Sequence, residues 1–122
     1  MNILIVDDSP LFVSRLKAFL IDHQHEVITC LKSPEAFELY KVHQSHLVFM
    51  DILMPDLDGI SAMKQILASY PQAKIVIMSS MGQQSKIIEA TGAGAIDYVT
   101  KPFEPRKVLG AIEKALSQIN NT

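Results

Sequence analysis

Three aspartates, a serine and a lysine stand at the ends of short apolar segments in this sequence, where they could bind a metal ion or a phosphoryl group. Asp7 and Asp8 follow the first apolar run, Asp51 the third and Ser79 the fourth, and Lys101 lies just past the fifth. Runs of this kind are typical of parallel strands covered by helices on both faces. Because ligands bind beyond the carboxyl ends of such strands, we expect these side chains to meet at one edge of the sheet.

A cluster of three carboxylates is electrostatically costly unless a cation compensates it. Two unit charges about 4 Å apart repel by roughly 4 kcal/mol at an effective dielectric constant of about 20. Carboxylate oxygens together with water suit Mg²⁺, or Mn²⁺ in its place. A solvent-open site with this metal and Lys101 suits a phosphoryl group, because both cations draw charge from its oxygens and Ser79 can donate to one of them.

One carboxylate of the cluster could itself be the nucleophile and form an aspartyl phosphate. Asp7 and Asp8 are adjacent, so in a strand they would point to opposite faces, but both can reach a metal where the chain turns. Asp51 stands alone on a neighbouring strand and is the better nucleophile, with Asp7 and Asp8 holding the metal. Any one of these aspartates could instead be a helix cap or turn residue; their joint occurrence at strand ends favours a site.

The elements that would position these side chains alternate along the chain. Strands are predicted at residues 3–6, 26–30, 47–50, 75–78 and 95–99, and helices at about 10–22, from 34, around 60–67, at 84–91 and from 105. Five such alternations predict an α/β fold with a parallel sheet, right-handed crossovers and helices on both faces.

Local signals refine these helices. Ser9 and Ser33, each followed by proline, are predicted to cap the first and second helices. The last helix is predicted to turn four apolar side chains inward, and we interpret its Gly110 as a site of close backbone packing. The polar tail, 117–122, is predicted to fray. The inward-facing set is Val108, Leu109, Ile112 and Leu116.

Composition excludes several classes of protein. The 122 residues suit one domain, with 48% hydrophobic and 20% charged residues. Thirteen acids against 11 bases give a net charge of −2, which argues against a basic nucleic-acid binder. A single cysteine excludes a disulfide scaffold and a multi-cysteine zinc site. The apolar runs are too short to span a bilayer and the first residues do not form a signal peptide, so we expect a cytoplasmic protein without membrane insertion.

Several segments together resemble the receiver domains of two-component response regulators. The resemblance covers nearly the whole chain and rests on residues 5–9 (IVDDS), residues 50–59 (MDILMPDLDG), the hydroxyl of Ser79 and residues 101–103 (KPF). Residues 79–84 (SSMGQQ) are similar to chemotaxis-type receivers. The resemblance implies one receiver domain over residues 1–122 and a three-layer αβα, flavodoxin-like sheet with strand order 2-1-3-4-5.

The resemblance also implies roles for the clustered residues. A sensor histidine kinase or phosphotransfer protein would donate a phosphoryl group to Asp51. Mg²⁺ would be held by Asp8, Asp51 and the backbone carbonyl of Leu53, with Asp7 acting through water. Lys101 would contact the phosphoryl group.

The same resemblance implies a conformational switch and an output surface. The bond before Pro102 would be cis, and Ser79 and Tyr98 would form the switch pair. The output surface would be the fourth helix, fifth strand and fifth helix, which would bind a downstream protein rather than nucleic acid. It would include Lys86, Tyr98, Arg106 and Lys107.

Leu53 and Met81 follow Asp51 and Ser79 by two residues each. In the receiver family, side chains at these places flank the phosphoryl group and influence how fast water reaches it. Both are apolar here, so neither can orient a water molecule by hydrogen bonding. We therefore expect self-dephosphorylation to be slower than in family members with polar residues at these places. The resemblance also implies a phosphoacceptor without multiple-turnover enzyme activity.

Other functions remain open from the sequence alone. A small phosphohydrolase with an aspartyl nucleophile is one; haloacid dehalogenase enzymes place Asp-x-Asp after their first strand, whereas this chain has Asp7-Asp8-Ser9. A flavodoxin-like electron carrier is another, although two aspartates after the first strand would repel a phosphate. A phosphorylation-independent scaffold is a third. The chain could also be the receiver part of a longer DNA-binding transcriptional regulator.

Overall fold

A five-stranded parallel sheet forms the middle layer of the molecule. The structure, a computed structural model, describes residues 1–120. Numbered along the chain, the strands lie in the order 2-1-3-4-5, as predicted from the resemblance. The strands are β1 (Asn2–Val6), β2 (Glu26–Cys30), β3 (Leu47–Asp51), β4 (Ile75–Ser79) and β5 (Asp97–Thr100). The helices are α1 (Pro10–Asp22), α2 (Ala36–His43), α3 (Gly59–Ser69), α4 (Gln84–Ala93) and α5 (Pro105–Asn120).

Both faces of the sheet are buried, as the solid apolar runs predict. Leu4 and Val6 of β1 contribute to one hydrophobic cluster, and Ile3 and Ile5 contribute to the other. The first cluster lies under α2, α3 and α4, and the second lies under α1 and α5. Alternate side chains of one strand therefore feed two separate cores, which is the three-layer αβα arrangement.

The first four strands lie within one residue of their predicted bounds, but the fifth does not. It begins at Asp97 rather than Ala95, and α4 continues to Ala93 rather than ending at residue 91. The N–H of Ala95 donates to the carbonyl of Ala90 at 3.0 Å, so this residue still closes the helix. The chain turns away from the helix at Gly94, whose φ is 121°.

Two predictions are wrong, one about the cap of α2 and one about the inward face of α5. Ser33 does not cap; it lies in a 3₁₀ turn before α2, and its hydroxyl donates to the carbonyl of Leu57. Leu116 is 40% exposed, because α5 turns the small Ala111 and Ala115 toward the sheet with Val108 and Ile112.

The close packing inferred at Gly110 is also wrong, because a Cβ there would meet nothing within 4 Å. Residues 117–120 continue the helix instead of fraying. The remainder of the predicted frayed tail, 121–122, lies outside the described residues.

Within residues 1–120, no helix is both long enough and apolar enough to cross a bilayer.

Candidate functional site

The carboxylates predicted to cluster do meet at the carboxyl edge of the sheet. β1 and β3 are neighbours, and Asp51 ends β3 while Asp7 and Asp8 follow β1. One carboxylate oxygen from each of the three residues lies within 4.8 Å of the others. Asp7 and Asp51 are buried, whereas Asp8 is exposed, so the cluster opens to solvent on one side.

Hydrogen bonds and an ion pair fix Asp7. Its backbone N–H donates to the carbonyl of Cys30 at 3.0 Å, which extends the β1–β2 pairing by one residue. Its Oδ1 accepts from the N–H of Ser9 at 2.8 Å, at the start of α1. Its Oδ2 lies 2.8 Å from Lys101 Nζ, which is 3.6 Å from Asp51 Oδ2. One ammonium therefore bridges the two buried carboxylates.

A single lysine does not compensate the cluster. Burial raises the pKa of Asp51 to about 6, and the charge of Asp7 adds to this effect while Lys101 opposes it. Burial lowers the pKa of Lys101, but its hydrogen bond to Asp7 and the charge of Asp51 outweigh burial, so that its pKa lies above the ordinary value. Three carboxylates against one ammonium leave an excess of negative charge among hard oxygen donors. This donor set fits Mg²⁺.

Ser79 offers a buried donor beside the cluster. It is the last residue of β4, and its Oγ is buried without a hydrogen-bond partner among residues 1–120. Its carbonyl accepts from the N–H of Lys101 at 2.8 Å, which links β4 to the loop that carries the lysine. A buried hydroxyl without a partner costs free energy, so an oxygen atom of a ligand at this edge would satisfy it.

The remaining predicted residues lie around this edge or on the nearby surface. The peptide bond between Lys101 and Pro102 is cis. Leu53 is 60% exposed and Met81 is 96% exposed. Tyr98 is 39% exposed and points to the outer surface, where Lys107 Nζ lies 5.7 Å from its ring centroid.

Sequence reasoning missed the contacts that two residues make at the site. The ring centroid of Phe12 lies 4.6 Å from Lys101 Nζ. Gly59 sits so close to β3 that a Cβ there would lie 1.8 Å from the backbone carbonyl oxygen of Asp51. The available signals were Phe12, an aromatic residue shortly after Asp8, and Gly59, a glycine after the Asp56–Asp58 turn. Neither signal identifies its contact without the fold.

Comparison with known proteins agrees with this geometry. Residues 3–113 match the family model described as the response regulator receiver domain. The chain belongs to this family. It is 45% identical to the chemotaxis protein CheY of Bacillus subtilis, over 95% of this chain and 98% of that protein. It is 42% identical to the chemotaxis protein CheY of Thermotoga maritima, over 93% of this chain and 95% of that protein.

A solved structure shows the same fold. The response regulator receiver domain protein of Clostridium thermocellum superposes with a TM-score of 0.92 at 26% identity, covering 98% of this chain and 96% of that chain. A receiver domain is the part of a two-component system that interacts with a phosphodonor and a downstream target. Receiver domains are signalling proteins rather than classical enzymes and generally bind Mg²⁺, so the family assignment argues against the phosphohydrolase and electron-carrier alternatives.

Proposed function

We propose that Asp51 accepts a phosphoryl group from a sensor histidine kinase or a phosphotransfer protein. The observation that carries this proposal is the meeting of three carboxylates, a bridging lysine and a partnerless buried hydroxyl at one sheet edge. A carboxylate oxygen of Asp51 forms the bond to phosphorus as the bond between phosphorus and the donor atom breaks. The ammonium of Lys101 lies close to Asp51 and can contact a phosphoryl oxygen once the group has been transferred.

In this proposal Asp8, Asp51 and the backbone carbonyl of Leu53 hold Mg²⁺, for which Mn²⁺ can substitute, and Asp7 acts through water. The burial of Asp7 and its pairing with Lys101 support an indirect role for it. The solvent exposure of Asp8 supports a direct one, because its oxygens are accessible to an entering ion. The metal supplies positive charge that stabilises the phosphoryl oxygens.

Ser79 and Tyr98 form the proposed switch. The hydroxyl of Ser79 donates to the phosphoryl group, and Tyr98 moves from its half-exposed position toward the space behind Ser79. The charged phosphoryl group thereby shifts the equilibrium between two arrangements of Ser79 and Tyr98. The exposed position of Tyr98 supports this direction of movement, as does a cavity that Ser79, Tyr98 and Lys101 help to line.

The proposed output surface comprises α4, β5 and α5, with Lys86, Tyr98, Arg106 and Lys107 exposed on it. We propose that it binds a downstream protein in chemotaxis, which the two CheY relatives support. A cytoplasmic location and a single receiver domain spanning residues 1–122 are parts of the same proposal. A receiver that belongs to a longer regulator would use the same site and surface.

Amide spectra recorded with Mg²⁺, before and after the addition of beryllofluoride, test this function. Beryllofluoride takes the place of a phosphoryl group on a carboxylate. We expect shifts at Ser79 and Tyr98 and along α5, in addition to shifts at the acidic cluster. The variant Asp51→Asn should show none of the beryllofluoride shifts, and Asp56→Asn, which removes an exposed carboxylate from the nearby loop, should retain them all.

A response to beryllofluoride that persists in Asp51→Asn would show that another residue is the acceptor. Shifts confined to the acidic cluster would support the acceptor site but contradict the switch. Phosphorylation by a small-molecule donor, followed by intact-mass measurement, provides an independent test of Asp51.

A further inference from the structure

The ammonium of Lys101 contacts an aromatic ring as well as two carboxylates. Its Nζ lies 4.6 Å from the ring centroid of Phe12, 2.8 Å from Asp7 Oδ2 and 3.6 Å from Asp51 Oδ2. The face of an aromatic ring attracts a cation through its quadrupole, and the attraction is stronger where water is excluded. The lysine side chain is only 18% exposed, so the ring occupies a place that water would otherwise take beside the ammonium.

The ring of Phe12 is held from two directions. Phe12 lies in the first turn of α1, and its N–H donates to the capping hydroxyl of Ser9 at 3.4 Å. Its ring meets that of Phe103 edge to face, with centroids 6.0 Å apart and an interplanar angle of 86°. Phe103 follows Lys101 by two residues, so Phe12 contacts both the ammonium and the loop that carries it. A second ring, Phe19, packs on Phe103 at 5.4 Å.

We propose that Phe12 is a positioning residue, whose ring face holds the ammonium of Lys101 between Asp7 and Asp51. This inference rests on the proposed role of Lys101 and Asp51 in phosphoryl transfer. The α1 helix thereby contributes to the site through a side chain that contacts the lysine. The electronic character of the ring, rather than its bulk, fixes the lysine.

The first test observes the lysine directly and needs no phosphoryl group. In a carbon-13 and nitrogen-15 labelled sample, the ε protons of Lys101 should resonate upfield of those of lysines that lie near no aromatic ring, because they lie near the face of the Phe12 ring. The variant Phe12→Leu should lose this shift, and Phe12→Tyr, which retains the ring, should keep it. The variant Phe19→Leu is the matched control, since it removes a ring that packs on Phe103 but does not contact the lysine. It should leave the Lys101 shift in place.

The second test measures beryllofluoride affinity with Mg²⁺ while the ring is changed electronically at nearly constant size. Fluorine atoms on the ring weaken its quadrupole, so affinity should fall stepwise as Phe12 is replaced by mono-, di- and trifluorinated phenylalanine. Phe12→Leu should weaken binding by about fivefold, which is within the usual strength of such a contact. Because the fluorinated rings preserve packing, this series remains informative if Phe12→Leu fails to fold.

Three outcomes would overturn the inference. An unchanged Lys101 shift in Phe12→Leu would show that the ring does not lie against the ammonium. Equal affinity across the fluorinated series would show that the ring acts by bulk alone, and an equal loss in Phe19→Leu would show a general packing effect. Failure of the proposed function looks different, because beryllofluoride would then not bind at Asp51 in the wild-type protein although the ring-current shift of Lys101 remained.

Discussion

At the scale of single residues, Asp51 is an acid whose surroundings favour its neutral form when no metal is bound. Burial and the neighbouring charge of Asp7 oppose ionisation more strongly than Lys101 assists it, so its pKa rises from 3.8 to about 6. The folded protein therefore binds more protons than the unfolded chain between these two values. The contribution of Asp51 to the free energy of unfolding consequently falls as the pH rises through this window.

Replacing Asp51 by asparagine should remove this pH dependence. With a chelator at pH 7, we expect Asp51→Asn to be more stable than the wild-type protein by about 1–2 kcal/mol, a figure that allows for solvent screening. Near pH 4 the two proteins should be similar, because Asp51 is then largely protonated. Urea unfolding at both pH values measures this. Asp56→Asn makes the same charge change at an exposed position and should change the free energy of unfolding much less. A wild-type protein that gains stability relative to Asp51→Asn as the pH rises would contradict the raised pKa of Asp51.

Two exposed apolar side chains make a prediction about the lifetime of the phosphoryl group. Leu53 and Met81 cannot orient water, so the wild-type protein should lose its phosphoryl group more slowly than Leu53→Asn and Met81→Glu. We expect the larger effect at Leu53, because Met81 is 96% exposed and extends into solvent. Release of inorganic phosphate from the phosphorylated proteins measures the rates. Wild-type decay as fast as that of both variants would contradict this prediction.

The position of the acidic cluster was predictable from the sequence, but its detailed contacts were not. A residue that ends a parallel strand lies at the carboxyl edge whatever its rotamer, which is why Asp7, Asp8 and Asp51 were placed together correctly. The contact between Lys101 and Phe12 depends instead on how α1 packs beside the loop after β5. No periodicity or motif in the sequence encodes that distance.

At the scale of elements, the approach of α3 to β3 depends on one glycine. The N–H of Gly59 donates to the carbonyl of Ile52 at 2.8 Å, which brings the helix start against the backbone of the strand that carries Asp51. A Cβ at this position would lie 1.8 Å from the carbonyl oxygen of Asp51, so backbone atoms must move to admit it.

Gly59→Ala should therefore destabilise the protein by about 2–4 kcal/mol, at or above the usual range for overpacking. Gly110→Ala is the matched control, because it makes the same change inside α5 where the added methyl group meets no neighbouring atom. That variant should be stabilised by about 1 kcal/mol through helix propensity. Urea denaturation of both variants measures the difference; similar effects would contradict the close approach at Gly59.

Helix α4 is the least anchored of the five helices. Only Ala90 of this helix is buried, and Gln83, the residue that precedes the helix, provides no side-chain cap. In contrast, α1 buries three side chains and has the cap of Ser9. Amide hydrogen exchange should therefore be fastest in α4 among the helices, because few buried contacts resist its opening. Protection equal to that of α1 would contradict this expectation.

Element bounds were predictable where the sequence carries a stop or start signal, and less so elsewhere. The cap of Ser9 and the proline after it placed α1 correctly. In α5 the apolar stripe is broad enough that Leu116 and Ala115 both fit a helical period. Hydrophobicity favoured the leucine, but Ala115 is fully buried and Leu116 is 40% exposed, so small side chains occupy the face of α5 that packs on the sheet.

At the scale of the whole molecule, a cation at the carboxyl edge would hold the loops after β1 and β3 together only in the folded state. Mg²⁺ at about 100 times its dissociation constant should therefore stabilise the protein by about 2.7 kcal/mol and raise its melting temperature by several degrees. Asp8→Asn should abolish this increase, yet alter the melting temperature in chelator only slightly, because Asp8 is exposed. Differential scanning calorimetry with and without Mg²⁺ measures both; an undiminished increase in Asp8→Asn would exclude that residue as a ligand.

The two hydrophobic clusters divide the proposed output surface between them. Helix α4 rests on one cluster and α5 rests on the other, and β5 is the edge strand between them. A protein that contacts both helices at once therefore binds across the edge of the sheet and lies over both cores. Its affinity would respond to a shift of either helix against the sheet, so that the packing of both cores influences one binding surface.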